Sequence, residues 1–162
     1  MPGQHHGKSA PGRSGCIKAS GKQSIGRSRG GLTTKIHVVA ASDRAAVRFS
    51  LSGGQAHDAP EGIALLEGLC RDKEQKYLLM DRAYEGEKVR AAALDLGFQS
   101  VVPPKRNRRD SWEYDRERYK RRNEIESFFL RLKRFRRIFT RYHKLDVIFI
   151  SFLFFVFIMD AI

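Results

Sequence analysis

The first 36 residues contain no acid, and cysteine is almost absent from the whole chain. The two cysteines, Cys16 and Cys70, lie far apart with no CxxC spacing. That excludes a disulfide framework and a cysteine zinc site, and fits a reduced cytoplasm. His5 and His6 follow Gln4, but no cysteine or carboxylate cluster joins them, so they are read as a functionally silent terminus rather than metal ligands. No secretory leader or other targeting signal is visible, and a cytoplasmic protein is expected. Long apolar runs are missing too. The most apolar stretch, Val147 to Met159, has thirteen residues bracketed by Asp146 and Asp160, whereas about 20 are needed to span a bilayer. A buried closing helix is expected there, and no membrane partner.

What the chain has is positive charge. Its 31 Lys and Arg against 18 Asp and Glu leave a net +13. The excess is not spread evenly. Residues 1–36 hold seven bases, residues 37–104 are near neutral, and residues 105–144 hold sixteen bases against six acids. Arginine dominates that last segment, and its planar fork suits phosphate oxygens. A solvated charged face would mix Lys with Glu more evenly. The partner implied is a nucleic acid.

A length of 162 residues suits one domain with a real core. Residues 1–31 are rich in Gly, Ser, Lys and Arg without hydrophobic period and read as a flexible basic arm, with order beginning at Leu32. Thr33 to Ala41 and Val47 to Leu51 alternate, which predicts an antiparallel hairpin. Asp58-Ala-Pro-Glu61 matches a capping box opening a helix over 59–69. Tyr77 to Met80 is continuously apolar, as in a strand buried on both faces, and it ends in Asp81. A helix over 86–96 stopped by Gly97, a short strand at 100–102 closed by Pro103-Pro104, and helices over 116–140 and 145–160 complete the order. The expected class is mixed α/β, in one folded unit over 32–162.

The helix over 116–140 carries the most specific pattern. Tyr119, Arg122, Glu126 and Lys133 fall within roughly 60° of one another at about 100° per residue. Ile125, Phe128, Phe129, Leu132, Phe135 and Phe139 fill a separate arc, expected to dock on the sheet. An amphipathic helix with incidental charges would account for the stripe alone, and Asp81 alone would pass for a helix cap. Together, a carboxylate at the end of a central strand and another on a packed helix could share a divalent metal, with Arg and Lys beside it for phosphate.

These residues resemble the DDE transposases of the insertion-sequence-four and insertion-sequence-five groups. Their pattern Y-x2-R-x3-E-x6-K is matched by Tyr119, Arg122, Glu126 and Lys133. Gly26 to His37 (GRSRGGLTTKIH), Gly53 to Asp58 (GGQAHD), Leu78 to Tyr84 (LLMDRAY) and Val101 to Arg109 (VVPPKRNRR) are also similar to that group. The resemblance implies a ribonuclease-H-like domain, a mixed sheet flanked by helices. Asp81 would be its second catalytic Asp and Glu126 its catalytic Glu, both metal ligands. Tyr119, Arg122 and Lys133 would contact the transposon-end DNA.

One departure has consequences. The group's first Asp lies on an opening strand, and no Asp precedes Asp43, which falls in a turn. The first strand and first Asp are therefore expected upstream of Met1, in an overlapping frame or lost from a truncated copy. In the complete enzyme two Mg²⁺ ions held by three carboxylates would promote in-line attack on phosphorus. With one ligand missing, the isolated chain is expected to be inactive, needing an upstream-frame portion or a homo-oligomer. A non-catalytic DNA-binding fragment that modulates a full-length transposase is the alternative. A restriction-like nuclease fits worse, because it would keep its acid and Lys together on one strand.

Overall fold

The computed structural model describes residues 23–70, 74 and 76–162. His5, His6, Cys16 and most of the expected arm lie outside the described residues. Order begins before Leu32: a short strand β1 (Gly26–Ser28) pairs antiparallel with the start of β2 (Gly31–Ala40). β2 pairs in turn with β3 (Ala46–Gly53), the expected hairpin. Register sets Ile36 opposite Leu51 and Val38 opposite Phe49. Alternation along a strand then divides the hairpin into two faces. Ile36, Val38, Phe49 and Leu51 pack against one apolar cluster. Lys35, Ser50 and Ser52 turn to the other face, toward helix α1 (Asp58–Glu67).

The capping box at α1 does not form. His57 occupies the N-cap position without a side-chain hydrogen bond, and the Asp58 carboxylate instead takes a 2.8 Å ion pair from Lys35. A charged partner across the fold gives Asp58 more than a local amide does.

A second apolar cluster joins α1 to α2 (Glu87–Asp95) and to a parallel pair, β4 (Lys76–Leu79) and β5 (Phe98–Val101). Gly97 turns the chain between α2 and β5 at φ 87°, a conformation that favours glycine. The apolar run predicts a β4 covered on both faces, and the strand is not. Lys76 and Tyr77 are exposed, Leu78 and Leu79 half-buried, and only Met80 beyond the strand is buried. In this two-stranded sheet Leu78 and Met80 meet the apolar cluster, while Tyr77 on the other face meets the Arg118 guanidinium.

The long C-terminal helix is interrupted. α3 (Arg116–Lys120) continues through Arg121 and Arg122, both still helical, into α4 (Asn123–Arg134). The break comes at Phe135, whose φ −80° and ψ 104° are extended, and a single turn α5 (Arg136–Phe139) follows. Lys133, Arg134, Arg136 and Arg137 would crowd one another at i,i+3 and i,i+4 in an unbroken helix, and like charges there are destabilising. The break rotates the apolar stripe. Phe128 and Leu132 are buried as expected, but Ile138 replaces Phe135 and Phe139, which are 38% and 70% exposed.

α6 (Asp146–Ala161) closes the molecule. Phe149, Leu153 and Val156 seal the hairpin cluster with Phe128 and Leu132, each side chain worth roughly 1.5–3 kcal/mol when fully buried. The opposite face of α6, including Phe154, Phe155 and Ile158, remains exposed. Among the described residues, no helix is long and apolar enough to cross a membrane.

Candidate active site

Asp81 follows the end of β4 at the start of a single 3₁₀ turn, Arg82–Tyr84, and its carboxylate accepts the Arg82 amide at 2.5 Å. Met80 holds the approach: it is buried, and its amide donates to the Val101 carbonyl at 3.1 Å. α3 is brought to the same place by Arg118, whose guanidinium lies 3.8 Å from the Tyr77 ring centroid on β4. One turn further along the helix, Arg122 meets the strand end.

There Arg122 joins the two acids. Its Nη2 lies 2.5 Å from Glu126 Oε1, and its Nη1 lies 3.7 Å from Asp81 Oδ2. Both carboxylates are about half exposed, at 59% for Asp81 and 49% for Glu126, against 28% for Arg122. The acids therefore open to solvent on one side and share a cation behind. Tyr119 completes the group, with Arg122 5.6 Å from its ring centroid. Burial pushes the Tyr119 phenol up, Arg122 pulls it down, and the Asp81 charge adds to the upward side, so it stays protonated at neutral pH.

Tyr119, Arg122 and Glu126 keep their helical spacing because α3 runs into α4 without losing helical backbone. Lys133 lies on α4 before the break, exposed and seven residues beyond Glu126. No ion pair of Lys133 with Asp81 or Glu126 is present among the described residues. Nor does any third His, Cys, Asp or Glu among them join the two acids as a metal-ligand group.

Around this cluster lies a polar scaffold that the sequence does not reveal. His37 is buried and bonded to both Tyr84 and Ser52. Lys35 donates to the Ala56 carbonyl at 2.7 Å as well as to Asp58. Glu85, 5% exposed, accepts the Lys105 amide at 2.8 Å and faces the Lys105 and Arg108 side chains at 3.2 and 3.6 Å. Burial alone would raise the Glu85 carboxyl, but Lys105 and Arg108 outweigh it and hold it below the usual range. Trp112 donates to the Val102 carbonyl at 2.9 Å and carries Arg90 and Arg108 over its ring. The signal for the His37–Tyr84 contact lies in the quoted stretches themselves: one supplies His37 and another supplies Tyr84.

A family model described as Transposase DDE domain matches residues 2–159. The chain is 33% identical over 122 residues to a Brucella ovis protein named as putative transposase for insertion sequence element IS6501, an alignment covering 75% of this chain and 92% of that one. No solved structure matches.

Proposed function

Since the chain belongs to the transposase DDE domain family and is a DNA transposase of the insertion-sequence type, we propose that Asp81 and Glu126 are two of the ligands of its catalytic divalent metal. The supporting observation is that one guanidinium, Arg122, faces both carboxylates. The two carboxylates are half-exposed and supply the hard oxygen donors that Mg²⁺ takes. When bound, a pair of such ions supplies activation of the attacking water or DNA 3′-hydroxyl and charge stabilisation at phosphorus.

The chain's own residues do the rest. Arg122 offsets the repulsion between Asp81 and Glu126 before DNA arrives, and then offers its free donors to a phosphate oxygen. Tyr119, kept protonated, donates a hydrogen bond to the DNA backbone without adding charge. Lys133, exposed on the same helix face, neutralises a phosphate further along the duplex. The attacking oxygen gives its proton to solvent as it bonds to phosphorus, one phosphodiester P–O bond breaks, and the departing 3′-oxygen takes up a proton from solvent.

The fold reading is ribonuclease-H-like. From Thr34 to Ala40, β2 has a strand on one side only among the described residues, and so has β4. A further strand set between them would join both sheets into one mixed sheet and bring a third carboxylate to Asp81 and Glu126.

Titrating the purified chain with Mn²⁺, followed by water proton relaxation, tests the ligand assignment. Weak binding that is lost in Asp81→Asn and in Glu126→Gln supports it. Equal binding by all three proteins refutes it. The isolated chain is expected neither to cleave nor to join DNA, and Mg²⁺-dependent strand transfer by it would overturn the reading of an incomplete site. A site with two carboxylates among the described residues also suits a non-catalytic DNA-binding fragment, which is the second reading. Such a fragment would tolerate Glu126→Gln in every assay of its action on a full-length transposase.

A further inference from the structure

Ser52, His37 and Tyr84 form a line from the hairpin into the turn that begins at Asp81. His37 is 4% exposed, on the hairpin face away from Ile36 and Val38. Its Nδ1 lies 2.8 Å from the Tyr84 hydroxyl and its Nε2 2.8 Å from Ser52 Oγ. The two rings meet edge to face, with centroids 6.4 Å apart at 81°. A neutral imidazole has one donor and one acceptor nitrogen. Burial pushes the Tyr84 phenol up, and the nearby Asp58, Asp81 and Glu61 push it further. The hydroxyl therefore keeps its proton, and in either neutral tautomer each imidazole nitrogen has a hydroxyl partner, Tyr84 at Nδ1 and Ser52 at Nε2.

On its other side the Tyr84 ring covers Gly62 of α1, where a Cβ would come within 2.7 Å of it. Glycine is required there by the ring's closeness. Tyr84 is the last residue of the 3₁₀ turn, and its amide donates to the Asp81 carbonyl at 2.8 Å. One such turn has too few internal hydrogen bonds to hold itself and depends on tertiary anchors. The Asp81 side chain is exposed and meets the Arg82 amide and the Arg122 guanidinium. Its placement is inherited from the anchored end of the turn.

We infer that His37 is a positioning residue for Asp81: held by Ser52, it fixes the Tyr84 hydroxyl and so the turn that presents the Asp81 carboxylate to Arg122 and Glu126. The functional consequence rests on Asp81 being a metal ligand. The placement itself does not, so it is measured without metal.

Amide hydrogen exchange on the full chain by nuclear magnetic resonance, with Tyr84→Phe, His37→Leu and His37→Asn, is the test. Loss of the anchor opens the turn locally, so Tyr84→Phe and His37→Leu should speed exchange at Arg82 and at position 84 by about tenfold or more, while Phe49 and Ala93 stay within about twofold. His37→Asn keeps an amide donor and acceptor near the Nδ1 position and should restore most of the protection. A side chain that merely fills space would loosen Phe49 and Ala93 as well and would not be rescued. The same two disruptive variants should weaken Mn²⁺ binding several-fold. If His37→Leu fails to fold, Tyr84→Phe, which keeps the ring, decides alone. Protection at Arg82 and position 84 that equals wild type in Tyr84→Phe overturns the inference. If Mn²⁺ does not distinguish wild type from Asp81→Asn, the ligand assignment fails, and the exchange result still decides the positioning role.

Discussion

Arg122 and Glu126 stand one helical turn apart and share a 2.5 Å ion pair through Nη2, and the other terminal nitrogen, Nη1, faces Asp81. The cation thus occupies the ground between two acids on different elements, a strand end and a helix. Removing either partner should have opposite effects on the affinity for a polyanion.

Arg122→Gln should weaken binding of a random-sequence DNA duplex by about tenfold and reduce the salt slope by about 1, as expected when one phosphate contact is lost. Glu126→Gln should bind the same duplex no worse than wild type, because it removes a negative charge from the surface. Fluorescence anisotropy over a salt series measures both. Equal weakening by the two substitutions would mean that Arg122 acts only through Glu126 and not on phosphate.

Arg131 ties three parts of the fold together. Its Nε and Nη2 grip the two oxygens of Asp160 at 2.7 and 3.0 Å, and Nη2 also donates to the Asp43 carbonyl in the hairpin turn. The Asp160 side chain is only 7% exposed. Arg131→Met would leave that part-buried carboxylate without its partner, at a cost of about 1–3 kcal/mol. Urea unfolding should show the midpoint falling accordingly. A loss under about 1 kcal/mol, the size of an exposed pair, would place the Asp160 carboxylate in water rather than in the contact between α6 and Arg131 of α4.

The break at Phe135 makes a prediction that a continuous helix reverses. Ile138→Ala should cost about 2–4 kcal/mol, as for other buried aliphatic truncations. Phe139→Ala, at an exposed position, should cost no more than about 0.5 kcal/mol. Thermal unfolding of the pair is enough to rank them. The opposite ranking would restore an unbroken helix to residue 140.

That contrast also marks where the sequence is legible. Alternation at Ile36, Val38, Phe49 and Leu51 reads correctly as a hairpin face, because strand period alone decides which residues meet the core. The stripe is legible through Glu126, since nothing between Tyr119 and Arg134 breaks helical backbone. The break after Arg134 is not, because the apolar period runs on through Phe135 and Phe139 while the backbone turns extended at Phe135. Asp58 misleads for a different reason. Its local pattern fits a cap, and only the fold brings Lys35 of β2 within reach. Periodicity does not mark His37 as a site residue: on its strand it takes the face opposite the apolar one, and its two partners are 15 and 47 positions away.

His37 also sets a pH dependence. Burial lowers its pKa; Asp58 and Glu61 of α1 pull it back up, Lys35 of the same strand lowers it further, and the result is below the usual histidine value. In the unfolded chain His37 takes up a proton below about pH 6.5, while in the folded protein it stays neutral to lower pH. The unfolded state therefore binds more protons in that interval, and stability rises with pH across it. Conversely, stability is lost as pH falls from about 6.5 toward the folded pKa. Glu85 and Asp146, both held below the usual carboxylate range, lose their contributions only at lower pH. The window between about pH 7 and pH 5 thus isolates histidine. Urea unfolding of wild type should show a lower midpoint at about pH 5.5 than at about pH 7.5, and His37→Asn should flatten that difference, since Asn carries no titrating proton there. If the variant loses as much stability on acidification as wild type does, His37 is not the group whose protonation sets the pH dependence.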